Sequence, residues 1–333
     1  MIYEKIKIFI KENYKFILSL IAIVFLLTYE LPYVVYTPGG IVNLEKRISV
    51  KNGYDSKGSI NMSYVTLRKG NIPSILLSYV IKDWDLLKES EVTGSDESVD
   101  DLLKLEKLYM TSSIDNATIL AYKKANKKIN IKKNINNVIY VSENAKTDIS
   151  LYDIILSVDG KDINNIKELQ DYIKTKNEGD IVYFKVISNK KEVDRNAEVI
   201  NINGELKVGI AFLTTYEYET DPSITVKTKS SESGSSGGLM LSLAIYNAIT
   251  KEDITKGKTI VGTGTIDVLG NVGKIDGVKY KILGAGKNKA DLFICPIDNY
   301  DEAMKVKKEH NLNINIISVE TFDEAINYLE NNL

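Results

Sequence analysis

Gly234-Ser235-Ser236-Gly237-Gly238 leads directly into the apolar run Leu239 to Ile249, and this junction decides the fold of the C-terminal part of the chain. A loop of small residues that feeds a helix exposes a hydroxyl and directs unpaired backbone N–H groups to one point. An oxyanion needs donors arranged in that way. A second helical pattern begins at Gly277-Val278-Lys279. Together the two segments predict a serine nucleophile, Ser236, and a lysine base, Lys279.

The residue inventory excludes most other catalytic chemistry. His310 is the only histidine and Cys295 the only cysteine among 333 residues. A zinc site needs three or four ligands of the Cys, His or carboxylate type, so we expect no metal and no cofactor. His310 lies at a charged helix end and is predicted to be a solvated surface residue or a helix cap. Cys295 lies in a short apolar run that is typical of a buried strand.

Charge and motif counting exclude two classes of partner. The net charge of -2 leaves no electrostatic footprint for phosphate, so we expect no nucleic acid. Gly257-Lys258-Thr259 imitates the end of a phosphate-binding loop, but Glu252 stands where that loop requires a glycine. We therefore expect no ATP.

The N-terminus differs in kind from the rest of the chain. Residues 1–15 are basic and precede an apolar stretch over 16–36, which is interrupted at Glu30. A membrane span takes about 20 residues, so 16–36 is predicted to be a single-pass transmembrane anchor with Glu30 near the interface. The lysines predict a cytoplasmic N-terminus and an extracytoplasmic location for everything after the anchor. The alternatives are a cleaved signal peptide and a buried helical hairpin of a soluble protein.

Residues 37–136 mix strand and helix patterns and are predicted to pack with the module that follows. The acidic stretch 89–101 is expected to be a loop. Residues 137–202 form a compact module in which Asp153-Ile-Ile-Leu-Ser-Val-Asp-Gly160 is followed by a helix and a strand. This phrase resembles the second half of a bacterial PDZ domain. The resemblance implies a module that binds extended peptide ends, with a degenerate module that only braces its neighbour as the alternative. No peptide-binding residues are assigned.

Residues 203–333 resemble the Lon proteolytic domain. Gly234-Ser-Ser-Gly-Gly stands where that family has Gly-Pro-Ser-Ala-Gly, and Thr263-Gly-Thr-Ile follows the family's Thr-Gly-Glu-Ile strand. Asp276-Gly-Val-Lys279 follows its Gly-Gly-x-Lys, with no gap needed over the 43 positions from Ser236. The whole chain resembles the membrane-anchored PDZ and Lon-like serine proteases of Gram-positive bacteria. This implies an α+β protein with an N-terminal transmembrane helix, a β-rich PDZ-like module and a C-terminal α/β proteolytic domain.

The lysine base must be neutral, which burial among apolar groups can achieve. Lys279 has apolar sequence neighbours, whereas Lys274 and Lys281 are expected to be solvated. At helical spacing, Lys281 points about 200° away from Lys279. Thr263 is a candidate to orient the lysine.

Gly234, Ser235 and Gly237 are expected to support the oxyanion site, with N–H groups near Ser236 and Gly237 as its donors. Ser235 and Ser233 are rival hydroxyls, and glycine at 237 together with the loss of the family's proline at 235 predicts a floppier loop.

These observations predict a membrane-anchored, ATP-independent serine endopeptidase that hydrolyses flexible or unfolded extracytoplasmic proteins chosen through the PDZ-like module. The expected partners are protein or peptide substrates and the membrane, and the resemblance allows a homo-oligomer, a hexameric ring. One alternative is a non-catalytic scaffold with an inactive protease fold, which binds peptides without turnover. Another is a protein that cleaves only itself, at one discrete site.

Overall fold

The N-terminal third of the chain already supplies half of the central sheet. A computed structural model describes residues 2–93 and 99–333. The first elements are α1 (Ile2–Thr28), β1 (Glu30–Asn43), β2 (Ile48–Val50), β3 (Ser59–Asn71), α2 (Ile72–Ser78), β4 (Asp85–Lys88), α3 (Glu89–Thr93) and α4 (Val99–Lys124). The acidic stretch 89–101, expected as a loop, is helical over α3 and at the start of α4, and its residues 94–98 lie outside the described residues.

The predicted anchor 16–36 is divided between two kinds of structure. Helix α1 ends at Thr28, and residues 30–36 belong to β1, where Val34 and Val35 are buried. The C-terminal part of the predicted anchor is therefore wrong, because its β-branched and aromatic residues pair with β3 and β4. Within residues 2–93 and 99–333, no helix is both long enough and apolar enough to span a membrane.

The middle of the chain forms a second unit, here called the inserted module (128–221). Its elements are β5 (Lys128–Val141), β6 (Ile154–Val158), β7 (Lys161–Asp162), α5 (Ile166–Ile173), β8 (Ile181–Ser188), β9 (Lys191–Glu198), β10 (Ile200–Ile202), β11 (Glu205–Lys207) and β12 (Ile210–Asp221). The antiparallel sheet has the order β12-β5-β6-β8-β9, and its core lies wholly within 138–212.

The inserted module extends beyond the predicted limits of 137–202 on both sides. Strands β5 and β12 pair from Ile210 opposite Val141 to Asp221 opposite Lys128 and form a long ribbon. The outer half of β5 is rich in Lys and Asn and carries little apolar alternation, so the sequence pattern leaves this half out.

The C-terminal elements return to the first sheet. They are β13 (Ile224–Val226), α6 (Gly238–Ile249), β14 (Thr259–Gly262), β15 (Thr265–Ile266), β16 (Val272–Gly273), α7 (Val278–Lys287), β17 (Leu292–Pro296), α8 (Tyr300–Glu309), β18 (Asn315–Val319) and α9 (Phe322–Asn332). Residues 30–124 and 224–333 together form what is here called the main lobe.

The main lobe has one mixed sheet with the order β18-β17-β14-β3-β1-β4. Strand β3 runs parallel to β14 on one side and antiparallel to β1 on the other. The N-terminal and C-terminal parts of the main lobe also pair outside this sheet, where β2 runs antiparallel to β13. Three of the six strands of this sheet therefore come from residues 30–88. The predicted C-terminal domain begins at residue 203 and does not include them. The fold mixes helix and strand, as predicted, but the β-rich module is inserted into the main lobe and does not precede it.

Helix α6 is the centre of the main-lobe core. Ten of its residues are buried, on all sides of the helix. A helix that is apolar all round must be covered on every face, and α4, α9 and the sheet cover this one. The N-terminus of α6, which follows the glycine-serine loop, is consequently held in a fixed position.

Candidate active site

Hydrogen bonds join the glycine-serine loop (234–238) to residues 263–264, which follow β14. The backbone carbonyl of Ser236 accepts a hydrogen bond from the Thr263 hydroxyl at 2.9 Å and another from the Gly264 N–H at 2.8 Å. The Leu239 N–H in turn donates to the Gly264 carbonyl at 3.0 Å. Ser236 therefore sits at the start of α6 with its backbone fixed and its side chain half-buried at the wall of a cleft.

The two glycines after Ser236 are required by close packing. A Cβ at Gly238 would lie 2.7 Å from the Ser113 hydroxyl oxygen and 3.1 Å from the backbone nitrogen of Ile266. A Cβ at Gly237 would lie 2.8 Å from the sulfur of Met62. Both glycines are buried, so the missing side chains allow close approach of neighbouring elements.

Two backbone donors are available for an oxyanion. Among the described residues, no backbone or side-chain acceptor pairs with the N–H of Ser236 or of Gly237. Both groups lie at the N-terminus of α6, where the first N–H groups have no partner within the helix and the helix dipole favours negative charge. The arrangement fits the oxyanion site predicted around Ser236 and Gly237.

Lys281 is the lysine that the structure brings to this loop. Its side chain is 4% exposed, and its ammonium donates to the Thr263 hydroxyl at 3.2 Å. Burial lowers the pKa of Lys281 to about 8, against an opposing influence of Asp276. The same Thr263 hydroxyl donates to the Ser236 carbonyl. One side chain thus links the loop of Ser236 to a lysine that loses its proton near neutral pH. The expectation that Lys281 is solvated is wrong.

Lys279 lies elsewhere. Its ammonium is 2.7 Å from a carboxylate oxygen of Asp85 and 3.7 Å from one of Asp83, and its side chain is 30% exposed. Tyr280 also donates to Asp85. Burial alone would raise the pKa of Asp85, but the hydrogen bonds from Lys279 and Tyr280 outweigh it and lower that pKa. Among the described residues, no hydrogen bond joins the Lys279 ammonium to Ser236 or Thr263, and its polar contacts are with Asp83 and Asp85.

The helical period of α7 contains the signal that separates the two lysines. The buried stripe of α7 is centred on Val278, Ile282 and Ala285. At 100° per residue, Lys281 lies about 60° from Val278 on the side of that stripe, whereas Lys279 lies about 100° away and Tyr280 about 160°. The contacts of Lys279 and Lys281 are consistent with the prediction that the two side chains point apart. The ungapped count of 43 positions from Ser236, however, selects Lys279, the more exposed of the two.

The other serines and lysines near the site have distinct environments. Ser233 and Lys274 are exposed, and Ser235 is half-buried with its carbonyl accepting from Ser113 at 3.1 Å. Thr263 was predicted to orient Lys279, but its hydroxyl accepts a hydrogen bond from Lys281.

Helix α4 ties the nucleophile loop to the inserted module, a connection that sequence reasoning missed. On one side, Ser113 donates to the Ser235 carbonyl, and the Glu106 carbonyl accepts from Gly234 at 3.0 Å. On the other, Ser112 donates to the carbonyl of Thr214 in β12 at 2.9 Å. Helix α4 therefore has hydrogen bonds to both units within about two turns.

Two carboxylates of α4 are raised in pKa by burial. The pKa of Asp115 is about 6, although hydrogen bonds from Tyr216 and Tyr218 lower it in part. Burial likewise raises the pKa of Glu106. A Cβ at Gly234 would lie 2.9 Å from a carboxylate oxygen of Glu106, so Gly234 leaves room for that carboxylate beside the loop.

The inserted module carries a groove of about 540 Å³ between α5 and the start of β12. Apolar side chains of Ile166, Leu169 and Ile173 line the helix side, and residues 208–211 line the strand side. Strand β12 lies at the edge of its sheet, where an extended peptide can add as a further strand. The sequence did not reveal this groove because its two walls are about 40 positions apart along the chain.

The single histidine lies at the end of a helix, and the single cysteine lies in a buried strand. His310 ends α8, but its side chain is only 15% exposed, with its Nε2 3.3 Å from Asp83. Of the two predicted roles, the helix-end position is confirmed, whereas the side chain is half-buried and not fully solvated. Cys295 is fully buried in β17, and burial raises the pKa of its thiol to about 12.

Comparison with known proteins identifies two domains in this chain. Residues 226–331 match the family model of the Lon protease (S16) C-terminal proteolytic domain, and residues 132–199 match that of the PDZ domain. The recognition of both domains from sequence is confirmed, and the Lon-type match supports a serine peptidase.

Curated relatives are Lon proteases, and the similarity covers less than a third of this chain. The Lon protease of Campylobacter jejuni is 31% identical over 96 residues, which is 28% of this chain and 12% of that protein. The Lon protease of Metamycoplasma arthritidis is 32% identical over 96 residues, which is 29% of this chain and 11% of that protein. The chain therefore spans only about a tenth of the length of these relatives.

Two solved structures of PDZ domains are similar to part of this chain. The PDZ domain of an SdrC-like protein from Listeria monocytogenes is 20% identical, with a TM-score of 0.23 over 25% of this chain and 92% of that one. Its counterpart from Listeria innocua is 26% identical, with a TM-score of 0.22 over 23% of this chain and 92% of that one.

Proposed function

We propose that this chain is an ATP-independent serine endopeptidase in which Ser236 is the nucleophile and Lys281 is the general base. The observation that carries the proposal is the buried Lys281, whose ammonium and the Ser236 carbonyl share the Thr263 hydroxyl. A lysine with a pKa of about 8 is partly neutral at physiological pH and can accept a proton. This assignment replaces Lys279, whose ammonium is paired with Asp85.

The proposed reaction passes through an acyl-enzyme. Neutral Lys281 takes the proton of the Ser236 hydroxyl as its oxygen attacks the scissile carbonyl. The N–H groups of Ser236 and Gly237 stabilise the oxyanion. The tetrahedral intermediate then breaks the C–N bond, and the Lys281 ammonium returns the proton to the leaving amine. Water attacks the ester with Lys281 again as base, which releases the acid and restores Ser236.

The geometry of the unliganded site defines what substrate must do. No hydrogen bond joins the Ser236 hydroxyl to the Lys281 ammonium in the described part of the chain. Catalytic hydrogen bonds often tighten only when substrate is bound. We therefore propose that substrate binding in the cleft brings the two side chains together.

Substrate choice is assigned to the inserted module. The groove between α5 and β12 has an apolar helix side, a strand at the edge of its sheet and two lysines in its lining, Lys174 and Lys207, of which Lys207 is paired with Glu205. These features favour the extended C-terminal end of a peptide. The chain has no motif for ATP, so the substrates proposed are flexible or already unfolded.

Membrane attachment through α1 is proposed on the exposure of its apolar residues. Side chains from Phe16 to Leu27 include nine large apolar residues that are 47% to 68% exposed. An apolar surface of this kind needs cover, and a membrane surface is the cover proposed here. Membrane fractionation of the full chain, with and without carbonate washing, tests this, and recovery in the supernatant without washing would refute it.

The test of the proposed activity is cleavage of unfolded casein by the full chain without ATP, beside Ser236→Ala and Lys281→Met. We expect turnover in the native protein and none in either variant, with thermal unfolding showing that both are folded. Retained cleavage in Ser236→Ala would refute the nucleophile. Peptide binding without turnover would favour a scaffold, and one discrete self-cleavage would favour self-processing. Size-exclusion chromatography with light scattering tests the hexamer, which stays a prediction.

A further inference from the structure

The cleft beside Ser236 has one strongly basic end. Its volume is about 570 Å³, and it lies between the loop 229–237 and the strands β1 and β3. Three cations line it, namely Lys46, Arg47 and Lys229, against one carboxylate, Glu232. The lining therefore has a net charge of +2.

The one carboxylate is already used within the protein. Glu232 accepts from the Arg47 guanidinium at 2.6 Å and from the Lys229 backbone N–H at 2.8 Å. In the part of the chain that the structure describes, no carboxylate lies within ion-pair distance of the ammonium groups of Lys46 or Lys229. The positive charge of these two lysines is available to a ligand in the cleft.

The basic end rests on a fixed support. The Arg47 side chain is 19% exposed, and its carbonyl accepts from Lys227 at 2.8 Å. The Lys46 backbone N–H donates to the Asn43 side chain at 3.0 Å. The turn that carries Lys46 and the loop that carries Lys229 are thus joined through the Arg47–Glu232 pair, so both ammonium groups extend from ordered backbone.

The lining of the cleft also has an apolar part. Met62, Val65 and Met110 contribute apolar side chains to its lining. A chain that lies through the cleft therefore meets both apolar surface and positive charge.

We infer that the cleft selects substrates that carry an aspartate or glutamate close to the scissile bond, recognised by Lys46 and Lys229. This inference rests on the proposed function, since it assigns a substrate class to the same cleft. Exposed ion pairs contribute little each, so the two lysines together should change kcat/KM by about 2- to 20-fold between acidic and neutral peptides. The preference should weaken as salt is raised above about 0.1 M, where charges more than about 10 Å apart are screened.

The experiment uses the full chain and a peptide with one mapped cleavage site. Each position within four residues of that site is changed in turn to Glu, Gln or Lys, and kcat/KM is measured for each peptide. We expect at least one position at which Glu exceeds Gln and Gln exceeds Lys. In the double variant Lys46→Gln/Lys229→Gln, the ratio of Glu to Gln at that position should fall to about one. Lys251→Gln, an exposed lysine outside the cleft, is the matched control and should keep the native ratio.

Failure of the inference is distinguishable from failure of the proposed function. Equal cleavage of Glu, Gln and Lys peptides, or a ratio that survives the double variant, would overturn the inference while the peptidase stands. If no peptide is cleaved, the proposed function fails, and binding of the same peptides to the Ser236→Ala protein decides the inference. Fluorescence anisotropy should then show tighter binding of Glu than of Lys peptides, lost in the double variant, and equal binding would refute it.

Discussion

Replacing Lys281 with methionine should abolish activity and stabilise the protein at the same time. Methionine keeps the length and the apolar stem of the lysine but carries no charge. The pKa of Lys281 is about 8 in the folded protein and about 10.4 when unfolded. The folded state therefore disfavours the ammonium by about 3 kcal/mol. Loss of the hydrogen bond to Thr263 offsets about 1 kcal/mol of the gain, which leaves about 2 kcal/mol at pH 7.

The sign of the pH dependence follows from the same values. Between pH 8 and about 10.4, the unfolded state binds more protons than the folded state. The free energy of unfolding contributed by Lys281 therefore rises with pH across this interval, and the full penalty is present below pH 8. The stability advantage of Lys281→Met should accordingly be largest at pH 7 and disappear by about pH 10.

The activity of the native protein should depend on the same titration, because kcat/KM should rise as Lys281 loses its proton. The base must be neutral, and at pH 7 only about a tenth of Lys281 is neutral. Under limiting substrate, kcat/KM should rise about tenfold from pH 7 to pH 9 with a midpoint near 8. Removing the base should cost a factor of about 10² to 10⁴.

Lys279→Met is the matched control. Its ion pair with Asp85 is partly exposed, so its loss should cost below about 1 kcal/mol and leave the pH midpoint unchanged. Both variants are assayed by chemical unfolding at pH 7 and pH 10 and by peptide cleavage from pH 6 to pH 10. An inactive Lys279→Met beside an active Lys281→Met would refute the assignment. A Lys281→Met protein that is less stable than the native protein at pH 7 would refute the reasoning about burial.

Three further predictions concern the support of the site. Gly238→Ala places a Cβ against Ser113 and Ile266, and overpacking should lower the free energy of unfolding by about 1 to 3 kcal/mol in urea; an unchanged midpoint would contradict the close packing. Ser113→Ala removes the hydrogen bond to Ser235 and should cost about 1 kcal/mol and lower kcat more than it raises KM, whereas a change in KM alone would contradict a role in positioning. Asp115 has a pKa of about 6, above its unfolded value of about 3.9, so its contribution to stability is present below pH 4 and is lost as pH rises through 6. Asp115→Asn should lack this pH dependence. A pH profile of urea unfolding identical to that of the native protein would refute the prediction.

The sequence predicted those features that are written in contiguous residues. The loop around Ser236 and the strand that ends in Asp159-Gly160 each carry their geometry in a few neighbouring positions, so their family matches and local structure follow from the sequence. Strand β3 pairs with β14, about 200 positions away, and β1 joins the same sheet through β3. No local pattern records the pairing of β3 with β14. The predicted C-terminal domain, 203–333, leaves β3 out for that reason.

The lysine base shows a different limit. Lys279 and Lys281 have nearly the same sequence neighbours, and only the rotation of α7 against the sheet decides which is buried. The buried stripe of Val278, Ile282 and Ala285 indicates which face of α7 is covered. The prediction of Lys279 relied instead on the number of positions between the lysine and Ser236. The ion pair of Lys279 with Asp85 could not be foreseen, because β4 becomes its neighbour only through the sheet order.

The insertion of the module between α4 and β13 constrains the order in which the chain can fold during synthesis. Strand β3 pairs with β14 from Ser59 opposite Thr259 onward, so about 200 residues must be translated before that pairing can begin. The inserted module has its core within 138–212 and can close while its parent lobe is still unpaired. Contacts this distant along the chain are slow to form and leave strand edges exposed. Ser236 and Lys281, the proposed nucleophile and base, can therefore come together only after α7 has been translated, and a ribosome-bound chain that lacks α7 is without the proposed base.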